Sequence, residues 1–448
     1  MAAPLVVSFW MRALFSFVDA LYARWLGLGD APVAAIGLSF PFEFLMIAVW
    51  VGLSTGLTSN LSRAMGAREN EKVEQHLRVT TRLVWGCVPA FAAIGGSLWF
   101  LAPVLAPDPA VARQFAIYGT VLIGGSAFSM FWSVIPDSIV KAHGDTKATM
   151  WAGILSNVVN VVLNTLFTFA FGWGIFGIAF STVLGRFAGL WYALRKAAAH
   201  EARRRASAEP WVPGLDASPY RATLGLAVPS ALAYTLMAVE GQIVNSLLAG
   251  LEHGTEAIAA WAVYYRVFQF VAMPAIATAV AMLPYAARRY GAGDLAGMRR
   301  GLRESHVAGV AYAAATLPPL WFFAEPIAHA FLQAPLAVEL ARGALRLIPL
   351  GVVVSLPFFL VRPAFEGMGR GRPGLVVAAL RYVALTAPSA WLGMHAARAA
   401  GVPELLGLVA GLLAATTIAS GLFLLWIRSS LREADDSPVG GNPAGVVS

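Results

Sequence analysis

The chain has a single cysteine, Cys87, which excludes an intrachain disulfide. Cys87 sits in the apolar run "LVWGCVPAF" and reads as an inert buried thiol. No CxxC, HExxH or GxxxxGK[ST] pattern occurs, so zinc-finger, metalloprotease and P-loop chemistry have no sequence support. Mid-span positions offer no histidine, and an intramembrane enzyme built on His with Asp or Ser lacks its parts; no enzyme is expected. Charge is also scarce. Only 12% of the 448 residues are charged, against roughly 25% in an ordinary soluble chain.

What is present is apolar sequence, at 58% of the chain. Stretches of 18 or more apolar residues recur along its whole length, the signature of membrane helices rather than of a β-barrel's short alternating strands. The first segment lacks a small-residue cleavage pattern and reads as a retained membrane helix. Twelve spans are expected: 4–27, 33–64, 79–106, 112–140, 148–171, 175–195, 221–249, 257–287, 303–332, 340–365, 374–398 and 402–427. Basic residues gather in alternate connections. Arg63, Arg68, Lys72 and Arg78 follow span 2, and Arg288, Arg289, Arg299, Arg300 and Arg303 follow span 8. The positive-inside rule then puts both termini in the cytoplasm of a multi-pass inner-membrane protein. The net charge of +8 therefore reports topology and not a nucleic-acid partner.

An internal repeat organises the spans. Gly66 answers Gly291, Gly144 answers Gly369, and "AAIG" at Ala34 answers "AAWA" at Ala259, all at one offset of 225 residues. The fold class expected is an all-α membrane protein, with twelve transmembrane helices in two pseudo-symmetric six-helix bundles. The lobes read as 1–195 and 221–430. A cytoplasmic linker spans 196–220 and a disordered cytoplasmic tail 431–448. Two such repeats around a central site make a transporter architecture.

Asp19 stands in "FSFVDALYARWLGLGD", near the middle of an apolar segment. An intramembrane carboxylate costs roughly 2.5–3.5 kcal/mol on insertion scales. It must face a cavity, find a partner such as Arg12 or Arg24, or take up a proton. Span 5 carries Asn157, Asn160 and Asn164 at i, i+3 and i+7, on one helix face. Amides of this kind also serve as glue between helices, at ~0.6 kcal/mol per contact. Glu240 is the second mid-span acid, with Gln242 or Arg266 as possible partners; Glu43 lies early in span 2. Asp137 and Glu366 lie at span ends, where a solvated charge costs little. "GRGRPG" at Gly369–Gly374 matches G-x-G-x-x-G literally, but it follows a membrane helix and lacks the downstream acid of a dinucleotide site.

The pieces "GLSTGLTSNLSRAMGARENEKV", "KAHGDTKATMWAGILSNVVNVVLNTLF", "GWGIFGIAFSTVLGR" and "EAIAAWAVYYRVFQFVAMPAIATAVAMLPYAARRYGAGD", with the Asp19 segment, resemble the MATE (multidrug and toxic compound extrusion) family. The resemblance covers nearly the whole chain. It implies a cation-coupled antiporter that exchanges inward H+ or Na+ for outward organic cations or other drugs. It matches Asp19 to the family's first-helix coupling aspartate, and Asn160 and Thr182 to members of the same cluster. Asn164 stands where the family has an aspartate. That departure removes a carboxylate from a hard-cation site and favours H+. The family's seventh-helix glutamate falls on Met237 here, one turn from Glu240. Glu240, Glu43, Tyr234, Tyr265 and Met237 are the possible substrate or proton residues, since aromatic faces attract organic cations. The expected partners are the lipid bilayer and a small cationic amphiphile, with no cofactor beyond the coupling ion and a monomeric chain. The rival is a lipid-linked precursor or polysaccharide-unit flippase of the same superfamily; acids rather than arginines in mid-span speak against it.

Overall fold

In a computed structural model the chain is a succession of long helices. The structure describes residues 2–27, 31–106, 108–207 and 218–436, and within them all side chains except those of 2, 9, 11–18, 20, 218, 435 and 436. The helices are α1 (Ala2–Trp25), α2 (Ala31–Gly66), α3 (Asn70–Leu105), α4 (Pro109–Ala142), α5 (Thr146–Ala170) and α6 (Gly174–Ala206). Then follow α7 (Ser218–Ala249), α8 (Gly254–Gly291) and α9 (Leu295–Phe331). Next, α10 comes in two pieces (Pro335–Leu345 and Ile348–Gly367), as does α11 (Arg372–Ala384 and Thr386–Ala399), before α12 (Glu404–Asp436). Among the described residues ten helices are long and apolar enough to cross a membrane, and α11, bent by 40° at its break, makes eleven. With the 24-residue α1 the total matches the twelve spans expected from sequence.

Local chemistry sets the helix starts. Asp108 accepts a hydrogen bond from Ala110 N at 2.8 Å, with Pro109 in the first turn, so the cap satisfies an amide that no carbonyl reaches. Asp145 does the same for Ala148 N at 3.1 Å, and Asp294 for Gly297 N at 2.7 Å. The repeat is visible in the backbone. Gly144 (φ +78°) and Gly369 (φ +81°) end α4 and α10 in the left-handed conformation. Arg68 (φ +61°) and Gly293 (φ +73°) do so after α2 and α8. Both pairs keep the 225-residue offset. The π-helical turn of α4 at Thr120–Gly124 answers the break between Leu345 and Ile348 in α10.

Two compact units emerge, 1–235 and 236–448, so the division falls inside α7. The sequence placed it earlier, between 195 and 221. The reason for the difference is close packing of the first half of α7 on α2. A Cβ at Gly56 would lie 2.8 Å from Thr223 O, and one at Gly52 would meet Ala227 and Ala231. The linker is also shorter than expected. Residues 196–206 continue α6, because the stretch is alanine-rich and Glu201 pairs with Arg204 one turn on. Likewise α12 runs on to Asp436, so residues 431–436 of the expected tail are helical. The rest of both segments, 208–217 and 437–448, lies outside the described residues.

Each unit has its own apolar core. In unit 1 it runs through Leu57, Phe115, Phe131 and Ile178; in unit 2 through Val244, Leu345, Val352 and Leu408. Trp25, Trp99, Trp321 and Trp426 are exposed, as interfacial anchors are.

Candidate functional site

The candidate site is built where α1 packs against α5 and α6. Small residues make that packing possible. Cβ atoms at Gly185 and Gly189 of α6 would lie 2.7 Å from Ser156 O and 2.9 Å from Ala152 O of α5, so any larger residue would push the helices apart. The close approach brings three polar side chains onto Asp19, which is only 4% exposed. Asn164 Nδ2 donates to Asp19 Oδ1 at 3.0 Å. Thr182 Oγ1 donates to Asp19 Oδ2 at 2.9 Å and accepts from Asn160 Nδ2 at 2.9 Å. Tyr118 OH, from α4, donates to Asp19 Oδ2 at 3.3 Å. The four residues singled out from sequence therefore meet at one point, Asn160 through Thr182. Asn157 does not join them; its amide donates to Gly153 O at 2.9 Å on its own helix. The expected partner Arg12 lies outside the described side chains, and Arg24 is exposed.

The carboxyl group thus has three donors and no basic residue bound to it among the described residues. Such a buried group either keeps its charge on hydrogen bonds alone or holds a proton. The amide oxygens of Asn160 and Asn164, both buried, have no hydrogen-bond partner among the described residues. Tyr118 was not legible in the sequence: its signal is a lone tyrosine in span 4, which marks a polar atom but names no partner.

The other candidates are held differently. Glu43 of α2 is ion-paired with Arg186 of α6. Glu240 of α7 binds Arg381 of α11 at 2.6 Å, a partner that the sequence reading, with Gln242 and Arg266 in view, did not reach. Arg381 also donates to Thr416 Oγ1 at 2.6 Å and Thr386 Oγ1 at 3.1 Å. Its place is the π-helical turn Leu380–Ala384, where its side chain is buried. Arg186 and Arg381 correct the sequence argument that mid-span residues are acids rather than arginines. Both arginines are matched by an acid, so neither leaves an uncompensated positive charge. Asp137 and Glu366 are a second correction. They are buried, not solvated: Lys141 lies 2.5 Å from Asp137, and Arg362 lies 3.0 Å from Glu366, each one turn away.

Among the aromatics, Tyr234 stacks on Phe44 with ring centroids 5.0 Å apart, in unit 1. Tyr265 is partly exposed on α8 beside Trp261, in unit 2. Met237 is half-buried, three residues before Glu240. Where α4, α5 and α6 end together, His143 and His200 stack at 4.8 Å. His200 Nε2 lies 3.0 Å from Asp145 Oδ2, and His143 Nε2 lies 3.5 Å from Glu201 Oε1. Among the described residues no group of three or more His, Cys, Asp or Glu is placed to hold a metal.

Comparison with known proteins agrees with this architecture. The MatE family model matches residues 4–166 and again 229–392, one match per repeat. "Probable multidrug resistance protein YoeA" of Bacillus subtilis (strain 168) is 27% identical over 67% of this chain and 65% of its own length. The "FAD transporter" of Shewanella oneidensis is 23% identical, over 88% of this chain and 87% of its own. A solved structure described as the outward-facing conformation of a multidrug resistance MATE family transporter superposes with a TM-score of 0.86, at 20% identity. The superposition covers 98% of this chain and 96% of that one. With twelve helices, a 225-residue repeat matched twice by the family model and the same fold over nearly its full length, the chain belongs to the MatE family of multi-pass membrane transporters.

Proposed function

We propose that the chain is an H+-coupled antiporter that exports small cationic amphiphiles across the inner membrane by alternating access, with Asp19 as the coupling residue. The observation that carries the reading is the buried Asp19 carboxyl with three neutral donors and no bound base. Protonation rearranges this cluster: the carboxylate accepts from Asn164, Thr182 and Tyr118, whereas the acid must give up one acceptor position and donate its own hydrogen. In the proposed cycle Asp19 takes a proton from outside, α1 repacks against α5 and α6, and the substrate is released. Asp19 then yields the proton to the cytoplasm. A proton can drive that switch only through different affinities for the two arrangements. Tyr234, Met237 and Tyr265 supply polarisable faces for the substrate. The chain works as a monomer, with both termini cytoplasmic and no cofactor beyond the coupling ion.

Na+ coupling is the second reading, and the unpartnered amide oxygens of Asn160 and Asn164 favour it, since a hard cation collects oxygen ligands. The two readings separate in proteoliposomes. Efflux of an organic cation driven by an imposed pH gradient without Na+ supports H+. Efflux that needs a Na+ gradient at fixed pH overturns it.

A further inference from the structure

Away from the Asp19 cluster, unit 2 holds a cleft of about 680 Å³ between α9 and α12. Both helices pack on α10, and their arginine-rich ends face each other across the gap. The sequence spacing makes one wall from each helix. Arg299, Leu302, Arg303 and His306 recur at i, i+3, i+4 and i+7 on α9. On α12, Leu424, Ile427, Arg428 and Leu431 follow the same rhythm, with Arg432 at i+8. The floor is apolar and buried, formed by Leu302, Ile427 and Leu431.

The arginines form the rim, with exposed guanidinium groups. Arg299 Nη2 donates to Leu431 O at 2.9 Å and ties the two walls together. Arg303, Arg428 and Arg432 pair with no carboxylate among the described residues, and none of the described residues lining the cleft is an acid. His306 lines it too. Its Nδ1 donates to Leu302 O at 2.7 Å, while its buried Nε2 has no partner among the described residues.

We propose that this cleft binds the headgroup phosphate of an anionic phospholipid, whose acyl chains continue along the apolar surfaces of α9 and α12. Four guanidinium groups around a leucine and isoleucine floor suit a phosphate that carries hydrocarbon beneath it. A free phosphate would leave the floor uncovered and gain nothing from it. The location agrees with this choice. The charge distribution assigns these helix ends to the cytoplasmic leaflet, and basic clefts between helices at that level recognise anionic headgroups. The site is remote in sequence from the Asp19 cluster and lies in the other unit, so the inference stands apart from the choice of coupling ion.

The test is native mass spectrometry of the full chain in detergent, with equal concentrations of phosphatidylglycerol and phosphatidylcholine. The expected result is preferential retention of phosphatidylglycerol by the wild type. Removing each arginine lowers that preference by about fivefold, so Arg303→Gln/Arg428→Gln/Arg432→Gln abolishes it. Arg299 is left in place because it ties the walls together. The control Arg342→Gln/Arg398→Gln, which removes arginines of α10 and α11 that the charge distribution assigns to the opposite membrane face, keeps the wild-type preference. The single variants are read beside the triple variant, so a misfolded triple variant still leaves a result. Equal retention of both lipids by the wild type, or an unchanged preference in the variants, overturns the proposal. So does displacement of bound phosphatidylglycerol by excess inorganic phosphate, which would mark a free-phosphate site instead.

Discussion

Asp145 shows how one side chain serves two structural ends. It caps α5 through Ala148 N and receives His200 from α6. Partial burial raises its pKa, but the hydrogen bonds of His200 and Ala148 and the charge of Lys196 outweigh that and hold it below the ordinary carboxylate value. A carboxyl group whose folded pKa is depressed adds stability above its unfolded pKa, near pH 4, and loses it as pH falls through the folded value. Asp145→Ala is expected to lower stability at pH 7 by about 1 kcal/mol through loss of the cap. It should also flatten the decline below pH 4, read as the unfolding midpoint across a pH series. The Glu240–Arg381 pair makes a different prediction. Glu240→Gln leaves a guanidinium buried without its counter-charge, at a cost of about 3 kcal/mol. Glu240→Met/Arg381→Met should recover most of that loss, as measured by thermal unfolding in detergent. Asp19, Asn160 and Asn164 were legible in the sequence because mid-membrane polar atoms are costly and stand out, whereas Thr182 was marked only by the resemblance to the MATE family. The sequence did not reveal Tyr118, Arg186 or Arg381 as partners, because those pairings join residues 99 to 143 positions apart, which spacing along one helix cannot report.

At the scale of the helix, the twelve spans were legible from apolar length alone, to within a few residues at the membrane-facing parts. Their breaks were not. The π turns in α4, α5 and α11 and the gap in α10 arise from packing demands that hydropathy does not encode. The ends extended further than the apolar runs because helix propensity carries α6 and α12 into water, with Glu201 paired to Arg204 one turn on in α6. Glycine at crossings is the element-scale device. On α11, a Cβ at Gly393 would collide with the backbone of Gly407 and Gly411 on α12. Gly393→Leu is expected to destabilise the chain by about 1–3 kcal/mol or to prevent its folding. Gly421→Leu, on the same α12 but facing open space, should be silent. Equal behaviour of the two variants in a detergent unfolding assay would remove the close-approach argument.

Across the whole molecule, the repeat constrains the backbone more tightly than the chemistry. Left-handed turns recur at the same offset, a π turn in the first half is answered by a helix break in the second, and the family model matches both halves. The polar groups do not follow. The position equivalent to Asp19 is Val244, fully buried in the apolar core of unit 2. Unit 2 instead buries an acid already matched by an arginine. A site that can exchange a proton therefore has its best candidate in one repeat only, and coupling is expected to depend on Asp19 while Glu240 acts as one half of an ion pair. The most direct measurement is organic-cation efflux from proteoliposomes under an imposed pH gradient, with wild type and Asp19→Asn side by side. The substitution keeps the size of the side chain and its capacity to hydrogen-bond, but an amide cannot carry the proton. The Asp19→Asn variant is expected to fold, bind substrate and lose the gradient-driven component, with transport falling to the rate seen without a gradient. Full gradient-driven efflux by Asp19→Asn would contradict this expectation.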